Sequence, residues 1–331
     1  MSIIAIDIGY GYVKAISDRG GEVIFPSFVA PAEDLVLREV LKSKGPGHFV
    51  IVEWPGAAAQ RYFVGDLAIA ESRLATAPMN RDKWTHWSTS VLVLTALALL
   101  EEHASSSSMV VTGLPLDFYR GQRELVEKTL AGLNCAVTVD NHRRFVKVDK
   151  TVVFLQGAAA IYAMETLPMG RNVVVDIGKF TTNIMTFETT GSRVVPVTQY
   201  SGSVEKGITL LHAAVRRAFL QQYYLPLEST EIEKIVRDRS LLFAGRNLDL
   251  TDMVASAKAQ AAQVIMDEVV ACLNSKLDQV NNFVFCGGGA IALEADLAKH
   301  FPRSTFMADG QFANARGYLQ VGRLALVEGM R

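Results

Sequence analysis

The sequence predicts a two-domain α/β protein with a mixed sheet in each half, on three observations. At 331 residues the chain is long enough for two domains that each bury a core. Apolar runs that read as buried strands come in meanders and alternate with helical stretches, and this happens twice. Finally, Ile3-Ile4-Ala5-Ile6-Asp7-Ile8-Gly9 and Asn172-Val173-Val174-Val175-Asp176-Ile177-Gly178 say nearly the same thing. Each is an apolar run that ends in Asp-Ile-Gly and continues through a turn into a second strand. One such stretch reads as an ordinary strand and turn. Two of them, one opening each half, predict paired domains that bring a carboxylate each to a shared cleft, an arrangement suited to a metal-bound polyphosphate.

Bulk composition narrows the class. Half of the residues are hydrophobic and a fifth are charged, as in a folded globular chain. Lys and Arg number 33 against 34 Asp and Glu, so overall charge selects neither nucleic acid nor an anionic membrane as partner. Cys135, Cys272 and Cys286 are dispersed and form no Cys-x-x-Cys pair. They read as free thiols in a reducing compartment rather than a disulfide or metal set. The six histidines lack ligand spacing, so zinc is not expected. The N-terminus enters a strand without a basic leader, and the most apolar helical run, 91–100, is shorter than the ~20 residues a bilayer needs. A cytoplasmic protein is expected.

Taken in order, residues 3–8, 13–17 and 22–25 read as a strand meander, turning at Gly9-Tyr10-Gly11 and Asp18-Arg19-Gly20-Gly21. The pattern from 26 to about 79 is irregular and holds a strand pair, 49–53 and 61–64, around Pro55-Gly56; it predicts a small inserted subdomain. Residues 87–102 read as a core helix and 105–108 as a polar serine linker left in a loop. A strand and turn follow at 109–115, then an amphipathic helix at 120–133 with Gly132 near its end. The second half repeats the grammar with strands at 173–177, 183–188 and 193–199 and helices from 207 to about 277. A late buried strand, 283–286, runs into Gly287-Gly288-Gly289 and a further helix.

The chemistry concentrates in the turns. Gly9 and Gly11 let backbone N–H groups approach a phosphate, because they lack Cβ and tolerate positive φ. Lys14 lies beyond the turn, where a flexible ammonium reaches a phosphate oxygen. The same residues also read as a tight hairpin with a solvated lysine. The second hairpin offers Gly178, Thr181, Thr182 and Asn183, whose hydroxyl and amide groups suit phosphate or bound water. Two strand-end carboxylates, Asp7 and Asp176, would hold Mg²⁺ largely through waters, since this ion dehydrates reluctantly. The glycine run 287–289 lets a base or ribose pack against backbone, and a helix N-terminus follows it. No Gly-x-x-x-x-Gly-Lys-Ser/Thr occurs, which argues against a P-loop enzyme.

Five stretches in order resemble the motifs of the actin superfamily. Residues Asp7-Ile8-Gly9-Tyr10-Gly11-Tyr12-Val13-Lys14 resemble its first phosphate motif, and Asp176-Ile177-Gly178-Lys179-Phe180-Thr181-Thr182 its second. Leu155-Gln156-Gly157-Ala158-Ala159-Ala160 is similar to the first connecting helix, Phe285-Cys286-Gly287-Gly288-Gly289-Ala290 to the adenosine motif, and Asn314-Ala315-Arg316-Gly317-Tyr318 to the second connecting helix. Within the superfamily the chain looks most like the bacterial ParM and Alp proteins that segregate plasmids. Tyr62-Phe63-Val64-Gly65-Asp66 and Thr112-Gly113-Leu114-Pro115 support that placing.

The resemblance implies an actin-like ATPase fold, two ribonuclease-H-like domains flanking a nucleotide cleft. Residues 1–155 with 316–331 would form the first domain, with the inserted subdomain at about 26–85, and 156–315 the second. Asp7 and Asp176 would organise Mg²⁺ and water. Gly9, Tyr10, Gly11, Tyr12, Lys14, Gly178, Lys179, Thr181, Thr182 and Asn183 would surround the phosphates. Gly287, Gly288 and Gly289 would line the nucleoside pocket. Glu205 and Lys206 fall where the family contacts adenine and ribose, though they also read as helical surface. Gln156 would orient the attacking water, since positioning dominates a loose phosphoryl-transfer transition state; it also reads as a polar helix N-terminus. Tyr10, Tyr12, Lys179 and Phe180 are bulkier than the family's usual turn residues, and Lys179 reads as an added phosphate contact or a solvent-facing side chain.

The implied function is an ATPase, with ATP or GTP and Mg²⁺, that polymerises into dynamic filaments. Its partners would be further copies of itself and a DNA-binding adaptor at a centromere-like plasmid site, with no direct nucleic-acid or membrane contact. A small-molecule kinase of the same fold is one alternative, with Asp140 and Asp149 as candidate catalytic carboxylates. The other is a nucleotide-binding adaptor of a membrane complex, as in the FtsA and PilM relatives. The C-terminal stretch is poor in the basic residues a membrane-targeting helix needs.

Overall fold

In the computed structural model the chain forms two compact units, Met1–Glu165 with Phe312–Arg331, and Thr166–Gln311. The structure describes all residues except 33–44, 79–82, 102, 104, 192, 275 and 330–331. Part of the inserted subdomain expected at about 26–85 therefore lies outside the described residues.

In the first unit, β1 (Ser2–Ile8), β2 (Tyr12–Ser17) and β3 (Glu22–Pro26) form the expected meander. The sheet continues from β1 through β7 (Ser105–Leu114), β9 (His142–Leu155), β8 (Asn134–Val139), β5 (His48–Glu53), β6 (Gln60–Val64) and β4 (Val29–Pro31), nine strands in all among the described residues. β1 is antiparallel to β2 and parallel to β7, so it lies inside the sheet. Both of its faces are covered. Ile4, Ile6 and Ile8 share a core with α2 (Trp87–Leu100) and α3 (Leu116–Ala131), which follow the short α1 (Asp66–Glu71). Ile3 and Ala5 pack with Tyr318 and Leu319 of α8 (Ala313–Gly329). Burial on both sides is why residues 3–6 are apolar without alternation. α2 is buried almost all round, from Val91 to Leu97, as a core helix should be.

Two local readings are corrected here. The serines at 105–108 are not a linker but the first half of β7, which pairs with both β1 and β9. Ser108 is buried, and its hydroxyl and that of Ser2 both donate to the buried Glu101 carboxylate. Ladder bonds to two neighbouring strands outweigh a polar composition. The stretch likened to the first connecting helix is a 3-10 turn, Ala158–Ala163, entered through Gly157 at φ 80°.

Among the described residues the second unit holds a six-stranded sheet. Its strands are β10 (Gly170–Ile177), β11 (Thr182–Thr190), β12 (Arg193–Pro196), β13 (Gly202–Val204), β16 (Asn282–Cys286) and β17 (Ser304–Phe306). β10 is antiparallel to β11 and parallel to β16, the relation β1 has to β2 and β7. The registers agree as well: Asp7 faces Lys14 and Ile8 faces Val13, while Asp176 faces Asn183 and Ile177 faces Thr182. The repeat seen in the sequence is a repeat of hairpin geometry. Val173, Val175 and Ile177 share a core with α4 (Thr209–Tyr223), α5 (Ser229–Asp238), α6 (Thr251–Cys272) and α7 (Gly288–His300).

The helices expected through 207–277 are interrupted by a hairpin of β14 (Ser240–Phe243) and β15 (Arg246–Asp249). Its turn residues, Ala244 and Gly245, both have positive φ, the geometry of a two-residue hairpin loop. None of the three cysteines is in a disulfide, and burial pushes the Cys135 thiol up to about 11. Among the described residues no helix is long and apolar enough to cross a membrane.

In the first unit α8 lies tightly on the 3-10 turn. A Cβ on Gly317 would lie 1.8 Å from the Ala159 carbonyl oxygen, and backbone cannot swing aside as a side chain can. Gly317→Ala is expected to destabilise the protein by about 1–3 kcal/mol, at the upper end of that range, read as a lower midpoint in urea denaturation.

Candidate functional site

The candidate residues gather in two groups, one in each unit. In the first, Asp7 is buried near the end of β1, and the antiparallel register sets Lys14 directly across from it. Lys14 Nζ donates to Asp7 Oδ2 at 3.3 Å. The turn between them is braced from behind. Gly9 N–H donates to the Tyr12 carbonyl at 3.1 Å, Ser27 Oγ donates to the Gly9 carbonyl at 2.7 Å, and Ser27 N–H to the Gly11 carbonyl at 3.0 Å. Gly9 serves a purpose other than the one expected of it. Its φ is not positive; a Cβ there would instead lie 2.9 Å from the Tyr12 carbonyl oxygen. Tyr12 is exposed, whereas Tyr10 is partly covered.

A residue not read from the sequence joins this group. Lys83 is 6% exposed, and its Nζ donates to the carbonyl of Ile8, the residue after Asp7. The ammonium also sits 5.0 Å from the centre of the Tyr10 ring. Burial lowers its pKa to about 8; Asp7 pulls upward and Lys14 pushes further down. The only local signal was a lysine beside a tryptophan just before a helix, which carries no chemistry by itself.

Gln156 is half-buried, just past the end of β9, with its backbone N–H on the Leu114 carbonyl at 2.8 Å. The next N–H, of Gly157, donates to Asn314 Oδ1 at 2.9 Å, so both connecting stretches meet at the base of Gln156. Asp140 and Asp149, the carboxylates considered for a kinase, are paired with His48 and Lys147.

In the second group Asp176 is buried at the end of β10 and faces Asn183, whose Nδ2 lies 3.5 Å from Asp176 Oδ2. Ser203 Oγ donates to Asn183 Oδ1 at 2.7 Å, which turns the amide N toward the carboxylate. Gly178 N–H donates to the Thr181 carbonyl at 2.8 Å, mirroring Gly9 and Tyr12. Thr182 is fully buried and its hydroxyl donates to the Lys206 carbonyl at 2.7 Å. Lys179 is neither solvent-facing nor unengaged; it pairs with Glu233 of α5 at 3.5 Å. Glu205 is exposed and Lys206 pairs with Glu268 of α6; both lie after β13 and not on a helix.

The glycine run has mixed roles. Gly287 has φ 86°, and a Cβ there would lie 2.4 Å from the Ile177 carbonyl oxygen and 2.6 Å from Asp176 Oδ1. Gly289 is pressed against Ile177 in the same way, while Gly288 faces open space. Two of these glycines thus fit the helix onto the end of β10, and the third leaves room beside it. Among the described residues no cluster of three His, Cys, Asp or Glu side chains could hold a metal alone. One buried carboxylate per unit suits Mg²⁺ carried mainly by phosphate oxygens and water.

Residues 5–158 match the model of the actin-like proteins N-terminal domain, and residues 174–299 match the C-terminal model of the archaeal actin homologue, MreB-like. The chain belongs to the actin superfamily. An archaeal actin homologue of Thermoplasma volcanium is 23% identical over 333 residues, covering 96% of this chain and 98% of that one. Among solved structures, a 15-stranded ParM filament from Clostridium botulinum has a TM-score of 0.87 at 24% identity, covering 98% of this chain and 99% of that one. An archaeal actin homologue in complex with ADP has a TM-score of 0.81 at 19% identity, covering 98% and 100%. At these identities the solved structures establish the actin-like fold.

The contrast within the glycine run is testable. Gly287→Ala should cost about 2 kcal/mol or more, from backbone strain and overpacking, whereas Gly288→Ala should change stability by no more than about 0.5 kcal/mol. Chemical denaturation of the two variants alongside the parent measures both.

Proposed function

We propose that this actin-superfamily chain binds a nucleoside triphosphate with Mg²⁺, hydrolyses it, and polymerises with copies of itself into dynamic filaments. The observation that carries the reading is the duplicated hairpin. Each unit ends a central strand in a buried carboxylate, faces it across the ladder with Lys14 or Asn183, and closes a glycine turn over it. A ParM filament and an ADP complex among the similar structures support self-assembly and nucleotide binding.

In this reading each unit's buried carboxylate marks a nucleotide-binding element. Lys14 and the N–H groups inside the two turns hold phosphate oxygens, while those of Gly9 and Gly178 stay on the Tyr12 and Thr181 carbonyls and fix the turns; Tyr10, Tyr12 and Lys179 lie at the margins, and Thr182 and Asn183 fix the second turn from inside. Gly288, between Gly287 and Gly289, gives the nucleoside a flat backbone to lie on, with Glu205 and Lys206 as its polar neighbours. Mg²⁺, when bound, would neutralise charge on the phosphates and be held by Asp7 and Asp176 through water. Gln156 accepts a hydrogen bond from the attacking water and aims its oxygen at the terminal phosphorus. As the new P–O bond forms, the bond to the bridging oxygen breaks, releasing a nucleoside diphosphate, inorganic phosphate and a proton. A neutral amide suits this step because positioning, not base strength, lowers the barrier.

The finer reading is that such filaments segregate plasmid DNA through a DNA-binding adaptor in the cytoplasm. The near-balanced charge offers no surplus for gripping DNA directly.

Light scattering at 90° with pelleting, in Mg-ATP and Mg-GTP, tests the reading. A rise that decays as phosphate appears is expected. Asp176→Ala should slow or abolish the decay, and Gln156→Ala should assemble while releasing phosphate roughly 100-fold more slowly. Phosphate release with no pelleting at any protein concentration would refute the filament. No response to either nucleotide would refute the site.

A further inference from the structure

Lys83 stands out because nothing in the fold requires a charge where it lies. Its backbone starts a 3-10 turn, Lys83–Thr85, that leads into α2, and Thr89 Oγ1 donates to the Lys83 carbonyl. Trp84 beside it is buried, so the mount is rigid. The side chain then runs inward to the end of β1, where its ammonium meets a neutral carbonyl, that of Ile8, and the Tyr10 ring. Among the described residues it forms no ion pair; the nearby Asp7 carboxylate is bonded to Lys14. Two ammonium groups and one carboxylate therefore share a largely buried corner, leaving a surplus positive charge. Placing such a charge out of water costs several kcal/mol unless an anion offsets it, and a hydrocarbon side chain would fill the space without that cost.

We infer that Lys83 is a second phosphate-positioning cation of the first unit, which binds the terminal phosphates of the nucleotide while holding the Ile8 carbonyl at the root of the phosphate turn. This rests on the nucleotide reading above and adds a recognition rule to it. Charge at this corner discriminates by phosphate number, so a triphosphate gains most, a diphosphate less, and the nucleoside nothing. The hydrogen bond to Ile8 meanwhile ties the turn to the segment entering α2, so that the ammonium is already in place before the ligand arrives.

The test uses the full chain with Lys83→Met, Lys83→Gln and Lys83→Arg. Lys83→Gln keeps a donor for the Ile8 carbonyl without the charge, and serves in place of Lys83→Met if the latter does not fold. Titration calorimetry with Mg-ATP, Mg-ADP and adenosine is read together with the melting temperature of the ligand-free protein. The neutral variants should bind Mg-ATP roughly 10- to 100-fold more weakly, as for loss of a hydrogen bond to a charged group. Mg-ADP should weaken less and adenosine not at all, while the ligand-free protein melts no lower than the parent. Lys83→Arg should restore most of the triphosphate affinity. Mg-ATP affinity within about twofold of the parent in both neutral variants would overturn the inference. So would an equal loss for all three ligands with a lower melting temperature, the signature of a purely structural latch. A parent chain that binds none of the ligands would instead overturn the nucleotide reading, and this inference with it.

Discussion

Burying a carboxylate at the end of a central strand costs several kcal/mol unless a partner meets it, and both units carry that burden at the same place. The antiparallel ladder decides where a partner can come from: the residue directly across is Lys14 for Asp7 and Asn183 for Asp176. Everything else at the two groups is arranged around this pairing. The turns are short because strand and partner strand must begin again at once, and the glycines are there because the turns are short.

The two solutions are not equivalent electrostatically. An ammonium answers Asp7, and with Lys83 close by the first group carries more positive than negative charge. An amide at 3.5 Å answers Asp176, itself oriented by Ser203, and the nearby Lys179 and Lys206 are drawn off by Glu233 and Glu268. The first group is thus rich in cations, the surrounding a polyphosphate needs, and the second is led by its carboxylate, the surrounding a hydrated cation needs.

Close backbone packing supplies the rigidity that the side chains cannot. Gly207 lies so near the Gly178 and Lys179 carbonyls that a Cβ would come within 2.6 Å of both, and Gly287 and Gly289 crowd Ile177. The second turn is therefore clamped between the segment after β13 and the start of α7. Backbone clamps of this kind hold donors where a ligand needs them without spending side-chain entropy.

The sequence by itself determined whatever depends on burial and short-range spacing. Unbroken apolar runs marked β1 and β10 because both faces of those strands are covered, and the spacing of Asp7 to Lys14 already contained the hairpin register. The apolar stretch of α2 and the strand-glycine-helix order at 282–300 were legible for the same reason. Tertiary structure alone decided the rest. Ser105–Ser108 are polar by composition and became strand because β1 and β9 offered ladder partners far away in sequence. The β14–β15 hairpin sits between two helices, where Ala244 and Gly245 were the sole turn signal. Which glycine serves conformation and which serves space depended on neighbours such as Tyr12 and Ile177. Lys83 joined Asp7 only because the chain returns to the end of β1 after the inserted segment, and periodicity carries no information about which distant carbonyl a lysine will find.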